Sequence, residues 1–161
     1  MPAGEWRRDC QHGQGWPLIY LDSSLVVSLC CPDANSAAAA AILQIAADRL
    51  LITTLCELET VNALGLRVFR KEISNLQAET SLNHFRKDQS AGVFLLRALP
   101  ESAFERARQL SRQLTPKLGT RTADLLHVAA ALELGASGFF SFDMQQRKMA
   151  QAAGLTLNSL P

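Results

Sequence analysis

Pro17-Leu18-Ile19-Tyr20-Leu21-Asp22 is the stretch of this chain that decides its fold. Its residues are continuously apolar up to the aspartate, which predicts a fully buried strand over about residues 18–22. A carboxylate at the mouth of such a strand is costly unless something offsets its charge. The stretch therefore predicts a buried sheet and, at Asp22, a functional residue at one edge of it.

Strand-like and helix-like segments alternate along the rest of the chain. Further strands are predicted at about 50–54, 92–96, 138–142 and 155–157. Helices are predicted at about 23–30, 35–48, 55–71, 74–90, 101–114, 122–135 and 144–153, with Thr122 as the cap of the sixth. Near-continuous apolar strands separated by helices are typical of a parallel sheet covered on both faces. We therefore predict an α/β fold with a central, mostly parallel sheet of four to five strands flanked by helices.

Length and composition restrict the class of protein. The chain has 161 residues, of which 48% are hydrophobic and 19% charged, as expected for one globular domain. Its formal net charge of +1 means that any nucleic acid must bind to a local basic patch. No apolar stretch approaches the roughly 20 residues of a membrane-spanning helix. We therefore expect a protein that does not enter membranes.

The cysteines and the N-terminal residues refine this picture. Cys10, Cys30, Cys31 and Cys56 lack the spacing of a zinc site, and we expect free thiols in a reducing cytoplasm. Residues 1–16 are polar and without periodicity, and they contain both tryptophans. They are predicted to form a loose, disordered N-terminal extension to one domain over residues 17–161.

Acidic residues recur where strands end and helices begin. Asp22 and Asp143 each close an apolar strand, and Asp124 lies in the first turn of a predicted helix. In parallel sheets ligands gather at the carboxyl ends of the strands, so these acids are expected to meet. A fourth acid, Glu57 or Glu59, comes from the helix after the second strand, and periodicity does not choose between them. Carboxylates without histidine suit a hard divalent cation such as Mg²⁺.

The ordered acidic segments resemble those of the PIN-domain ribonucleases, and in particular the VapC-type toxins of toxin–antitoxin pairs. The resemblance is carried by Tyr20-Leu21-Asp22-Ser23-Ser24, by Glu59 with Asn62-Ala63-Leu64, by residues 121–127 and by Phe140-Ser141-Phe142-Asp143. It covers the chain from about residue 18 to the C-terminus and implies a three-layer PIN-like fold. It also selects Glu59 rather than Glu57, and it matches Ser24 to a small hydroxyl residue beside the first aspartate.

The resemblance implies a function. It implies endonucleolytic cleavage of RNA dependent on Mg²⁺ or Mn²⁺, by a homodimer held by a cognate antitoxin. We expect Asp22 and Asp124 to be direct metal ligands and Asp143 to bind the metal directly or through water. Glu59 is expected to orient or deprotonate the attacking water. Arg121 and Arg147, nearest the acidic edge by sequence, are candidate contacts to RNA phosphates, although charged helix residues are usually only solvated.

Each of these residues also has a purely structural interpretation. An aspartate at a helix start or a strand end is commonly a cap or turn residue, and only the joint placement of four acids favours a metal site. His127 is expected to be a hydrogen-bonded packing residue rather than a catalytic base. Ser141 is expected to satisfy backbone groups.

Two rival functions follow from the same residues. One is a non-catalytic PIN-like module that binds RNA or protein, against which the intact acidic set argues. The other is a phosphatase-like hydrolase with Asp22 as a covalent nucleophile. That chemistry expects a second aspartate at position 24, where this chain has Ser24.

Overall fold

The computed structural model describes residues 17–45 and 49–159. The predicted N-terminal extension, residues 1–16, and the predicted end of the second helix near residue 48 lie outside the described residues. None of the helices described is long and apolar enough to cross a membrane.

Five parallel strands form one central sheet. They are β1 (Leu18–Leu21), β2 (Arg49–Thr53), β3 (Leu95–Arg97), β4 (Gly138–Phe140) and β5 (Thr156–Leu157). Their order across the sheet is β3-β2-β1-β4-β5, and every pairing is parallel. The chain builds the β2 side first and then crosses to β4, so strand order reverses at β1. The carboxyl ends of β1 and β4 therefore flank the crevice where such sheets bind ligands.

Seven helices within the described residues cover the two faces of the sheet. They are α1 (Ser23–Cys30), α2 (Ser36–Ile45), α3 (Thr54–Phe69), α4 (Asn75–Ser90), α5 (Ser102–Leu118), α6 (Thr122–Glu133) and α7 (Met144–Ala152). Ile19 and Leu21 pack under α1 to α4, whereas Tyr20 points to the opposite core under α5 to α7. This alternation along β1 follows from the pleat of a strand. The result is the predicted three-layer α/β fold.

Several boundaries differ from the sequence prediction for local reasons. β3 begins at Leu95 rather than Gly92, because residues 91–93 close α4: Val93 N donates to Asp88 O, and Gly92 adopts a φ of 76°. α5 continues beyond the predicted Leu114 and includes Pro116 in its last turn. It ends at Gly119, whose φ of 62° is readily accessible to glycine.

The start of α6 also differs from the prediction. Thr122 was predicted to cap this helix, but the N-cap is Arg121, with extended backbone and no capping hydrogen bond from its side chain. The Arg121 guanidinium instead faces two aspartates. Thr122 is therefore the first residue of the helix and not its cap. Asp124 lies in the first turn, as predicted.

Candidate active site

Asp22 is fixed at the crevice between β1 and β4. Its backbone N–H donates to Phe140 O at 3.1 Å, which continues the pairing of these strands. Its Oδ1 caps α1 by accepting from Leu25 N at 3.2 Å and also accepts from Ser24 Oγ at 2.8 Å. Its Oδ2 accepts from Ser141 Oγ at 2.9 Å. Burial raises the pKa of Asp22, and His127 and these hydrogen bonds only partly oppose that effect.

Two serines tie Asp22 to the loop after β4. Ser24 Oγ accepts from Phe142 N at 3.0 Å while donating to Asp22. Ser141 Oγ accepts from Asp143 N at 2.9 Å while donating to the other oxygen of Asp22. Ser141 therefore satisfies a backbone group, as predicted, and also orients the buried carboxylate.

Asp143 and Asp124 lie on the α7 and α6 sides of the crevice. Asp143 Oδ1 caps α7 by accepting from Gln145 N at 2.7 Å and Gln146 N at 3.0 Å. Asp124 Oδ1 accepts from Gln146 Nε2 at 3.0 Å. Asp124 Oδ2 and Gln146 Oε1 are buried and accept no hydrogen bond among the described residues, although the Arg121 guanidinium forms an ion pair with Asp124 Oδ2 at 3.4 Å. Two buried acceptors in this state favour a cation or an ordered water beside them.

Glu59, and not Glu57, reaches this crevice from α3. Its Oε2 accepts from Ser23 Oγ at 2.7 Å and from His127 Nε2 at 2.6 Å. Burial alone would raise the pKa of Glu59, but the hydrogen bond and charge of His127 and the bond from Ser23 outweigh it and lower that pKa. Glu57 instead lies beside α4, where Gln89 Nε2 approaches its Oε1 at 3.4 Å.

The four acids converge on one open pocket of about 270 Å³ at the carboxyl edge of the sheet. They come from the ends of β1 and β4 and from the N-terminal halves of α3 and α6. The residues that line the pocket are Asp22, Ser23, Ser24, Glu59, Asn62, Ala63, Leu66, Asp124, Asp143 and Gln146. Folding thus brings together acids that are up to 121 positions apart (143 − 22) in the sequence.

The chemistry of this donor set fits a hard divalent cation. Across residues 17–45 and 49–159, no three Asp, Glu, His or Cys side chains already stand in a complete metal-binding cluster. The hydrogen bonds explain this, because Glu59 is turned toward His127 and Asp143 Oδ1 caps α7. The Oδ2 atoms of Asp22, Asp124 and Asp143 retain acceptor capacity. Mg²⁺ commonly keeps several waters and needs only one or two carboxylates, so these residues fit it.

The two predicted phosphate contacts have different surroundings. Arg121 is 75% exposed, and its guanidinium lies 3.4 Å from Asp124 Oδ2 and 3.7 Å from Asp143 Oδ2. Arg147 instead donates to Ser141 O at 3.1 Å and to Asn158 Oδ1 and O at 2.6 and 2.7 Å. These bonds anchor the C-terminal segment to the β4 loop. Arg147 is thus used in structural hydrogen bonds, whereas the Arg121 guanidinium is exposed beside the pocket acids.

Two residues of this site were not assigned a role from the sequence: Ser23 and Gln146, each of which bonds a predicted acid. His127, predicted as a hydrogen-bonded packing residue, is buried and bonds Glu59. Gln146 follows Asp143 by three positions, the spacing of a capping box, but its side chain bonds Asp124 instead. The contacts of Glu59 with Ser23 and His127 span 36 and 68 positions and leave no local signal.

Comparison with known proteins gives one family and several solved structures. The family model described as the PIN domain matches residues 19–152. The chain resembles VapC20 of Mycobacterium tuberculosis, a toxin that cleaves the sarcin–ricin loop, with a TM-score of 0.68 and 15% identity over 89% of this chain and 99% of that one. No curated protein matches the sequence.

Two further solved structures are similar to this chain. One is VapBC2 from Rickettsia felis bound to a promoter DNA fragment, with a TM-score of 0.61 and 14% identity over 89% of this chain and 99% of that one. The other is FitAcB from Neisseria gonorrhoeae, with a TM-score of 0.60 and 17% identity over 88% and 96%. At these identities the likeness establishes a shared fold.

Proposed function

This chain belongs to the PIN domain family, and from that premise we propose that it is an endoribonuclease dependent on Mg²⁺ or Mn²⁺. The observation that carries the proposal is the convergence of Asp22, Glu59, Asp124 and Asp143 on one pocket at the point where strand order reverses. Phosphodiester hydrolysis needs an activated water and compensation of phosphate charge. A carboxylate-lined pocket provides ligands and acceptors for both purposes.

The residues divide this chemistry between them. Asp22 and Asp124 would hold the cation through oxygens that face the pocket, with Asp143 binding it directly or through water. When bound, a divalent cation lowers the pKa of a coordinated water and offsets charge on the phosphate. Glu59, whose lowered pKa keeps it ionised, would accept a hydrogen bond from the attacking water and orient it. Ser24 and Ser141 keep the Asp22 carboxylate in place from both sides.

Incubating the purified protein with a mixed RNA pool tests this function. Fragments should accumulate with added Mg²⁺ or Mn²⁺ and should not form with excess EDTA. A protein that binds RNA but produces no fragments under either condition would instead support a non-catalytic RNA-binding module.

Arg121 is proposed to bind an RNA phosphate beside the acidic pocket. It is exposed, and its guanidinium lies against two of the pocket acids. Arg121→Gln should raise KM for RNA several-fold and reduce the salt slope of binding by about 0.7, the value for one phosphate contact on a single strand. Binding titrations at several salt concentrations measure this slope.

Arg49→Gln is the matched control for this measurement. Arg49 is an exposed arginine at the start of β2, at the opposite edge of the sheet from the pocket. An equal weakening by both substitutions would show that Arg121 acts only through the general charge of the protein.

A cognate antitoxin is the proposed protein partner, and the toxin of a toxin–antitoxin pair is the proposed biological role. Both proposals are supported by the similarity of the fold to VapC20 and to the VapBC2 structure. We further propose that the protein acts in the cytoplasm, since its substrate is RNA and Cys30, Cys31 and Cys56 are free thiols. Copurification of the tagged protein with the product of an adjacent small gene, and its fractionation in cells, test these two points.

An exposed apolar face of the α3–α4 hairpin is proposed as a homodimer interface. Leu58, Val61 and Phe69 follow helical spacing on α3, and Leu76 opens α4. Phe69 is 82% exposed and Leu76 72%. Large exposed apolar side chains in one segment mark an interaction surface, and the interfaces of permanent dimers are the most apolar of such surfaces.

Phe69→Asp should convert the dimer to a monomer, because the charge would be buried without a partner. Light scattering should show the mass fall by about half. Phe104→Asp is the control, since Phe104 is an exposed phenylalanine on α5, outside this face. A wild-type protein that stays monomeric at high concentration would contradict the dimer.

A further inference from the structure

A chain of buried hydrogen bonds runs from the core of the protein to Glu59. Thr53 Oγ1 lies 2.8 Å from Tyr20 Oη, which lies 2.8 Å from His127 Nδ1. His127 Nε2 in turn lies 2.6 Å from Glu59 Oε2. We propose that His127 is a positioning residue that orients Glu59 toward the attacking water, held in place by Tyr20 and Thr53. This inference rests on the proposed ribonuclease function.

The position of the protons in this chain follows from its carboxylate end. An ionised carboxylate only accepts hydrogen bonds, so His127 must carry its proton on Nε2. When the ring is neutral, Nδ1 is the acceptor, Tyr20 donates to it, and Thr53 donates to Tyr20; when the ring is charged, Nδ1 donates to Tyr20 instead. Burial raises the pKa of Tyr20 well above its ordinary value, which keeps the phenol protonated and able to donate. In both states of the ring, the Nε2 proton points to Glu59.

The ring of His127 is held rigidly. Its side chain has no exposed surface. The Tyr20 ring meets it edge-on at a centroid distance of 5.8 Å, and that ring stacks on Phe139 at 5.5 Å with an interplanar angle of 5°. The donor that reaches Glu59 is therefore fixed in the core.

Glu59 needs such support because its own side chain is flexible and 28% exposed. Ordering a glutamate costs side-chain entropy, which a single surface contact rarely offsets. His127 and Ser23 both donate to Oε2. Among the described residues no other side chain donates to Glu59, so Oε1 is left for water in the pocket. His127 thus acts on the reaction through Glu59 and does not itself touch the substrate.

Substitutions at His127 distinguish positioning from packing. Loss of a group that orients a functional side chain typically costs about 10–100-fold in activity. His127→Leu should lower kcat for metal-dependent cleavage of the RNA pool by this factor, with KM changed less than about twofold. His127→Gln retains an N–H donor near the position of Nε2 and should restore most of the loss. Tyr20→Phe, which removes one hydroxyl, should lower kcat to a smaller extent.

Two matched controls accompany these variants. His84→Leu makes the same change at an exposed histidine of α4. Thr60→Val is the control for Thr53→Val. It also removes a buried threonine hydroxyl, but one that bonds only Cys56 O within its own helix. Both controls should leave kcat unchanged. Melting temperatures identify any variant that fails to fold, and if His127→Leu does so, His127→Gln and Tyr20→Phe carry the comparison.

Nitrogen-15 NMR of the metal-free protein gives a readout that is independent of cleavage. The His127 ring should show a protonated Nε2, and Glu59→Gln should shift that resonance. A neutral ring protonated on Nδ1 would overturn the inference, as would a His127→Leu enzyme that is folded and keeps the wild-type kcat. In that second case the ribonuclease function stands. Failure of the wild-type protein to cut RNA would overturn both.

Discussion

Asp124→Asn is expected to lower kcat/KM for metal-dependent RNA cleavage by at least about 10²–10³-fold, the loss typical when one preorganised electrostatic group is removed from a reacting centre. Asp124 Oδ2 is buried, accepts no hydrogen bond and faces the exposed Arg121 guanidinium at 3.4 Å, whereas Oδ1 accepts from Gln146. The substitution keeps the hydrogen bond from Gln146 to Oδ1 and the volume of the side chain. It removes the negative charge that the cation and its water need.

The fold should survive this change, which makes the loss interpretable. Asp124 does not cap a helix, and the rest of its surroundings on α6 are apolar and packed. Asp88→Asn is the matched control, since Asp88 is a partly buried carboxylate on α4 away from the pocket. Single-turnover cleavage of one RNA by the three proteins measures the effect. Equal rates for wild type and Asp124→Asn would remove the basis for a metal-dependent site.

Asp22 is expected to couple metal binding to the stability of the fold. A ligand at about 100 times its Kd stabilises the folded state by about 2.7 kcal/mol. In a chain of this size each kcal/mol raises Tm by about 2–4 °C, so saturating Mg²⁺ or Mn²⁺ should raise Tm by about 5–10 °C. Asp22→Asn should abolish most of this increase, because it removes a charged ligand. Scanning calorimetry with and without metal measures both shifts.

Without metal, Asp22→Asn should have the opposite effect and should stabilise the fold relative to wild type at higher pH. Because burial raises the pKa of Asp22, the folded state resists its ionisation. Below the ordinary aspartate pKa, Asp22 is protonated in both states and the folded state loses no stability. Stability is lost as pH rises from that ordinary pKa through the higher pKa of the folded state. Without metal, wild type should therefore lose stability with rising pH relative to Asp22→Asn. Asparagine also retains the capping acceptor for Leu25 N.

Calorimetry in EDTA across this pH range checks the second effect. Asp88→Asn serves again as the control and should show neither the loss of the metal response nor the changed pH dependence. A metal-induced rise in Tm that persists in Asp22→Asn would exclude Asp22 as a ligand.

Two of the acids could be placed from sequence because their positions depend on local rules. Asp22 and Asp143 each follow a continuously apolar strand, and the carboxyl ends of parallel strands lie at one edge of a sheet. The alternation of strands and helices likewise indicated the three layers, since each strand must be covered on both faces. Element ends were predicted less accurately at β3 and α5: Gly92 can adopt conformations closed to other residues, and Pro116, which usually ends a helix, lies inside the last turn of α5.

Other features needed contacts between distant parts of the chain. The sequence determined that strands of this pattern would be buried and that acids would follow them. Helical periodicity left Glu57 and Glu59 equivalent; the family resemblance selected Glu59, and in the tertiary structure it is Glu59 that reaches the pocket and bonds Ser23 and His127. The tertiary structure also turned Arg147 toward Asn158 and placed Gln146 on Asp124. Periodicity shows that a residue faces inward, but its partner depends on how helices pack across the sheet.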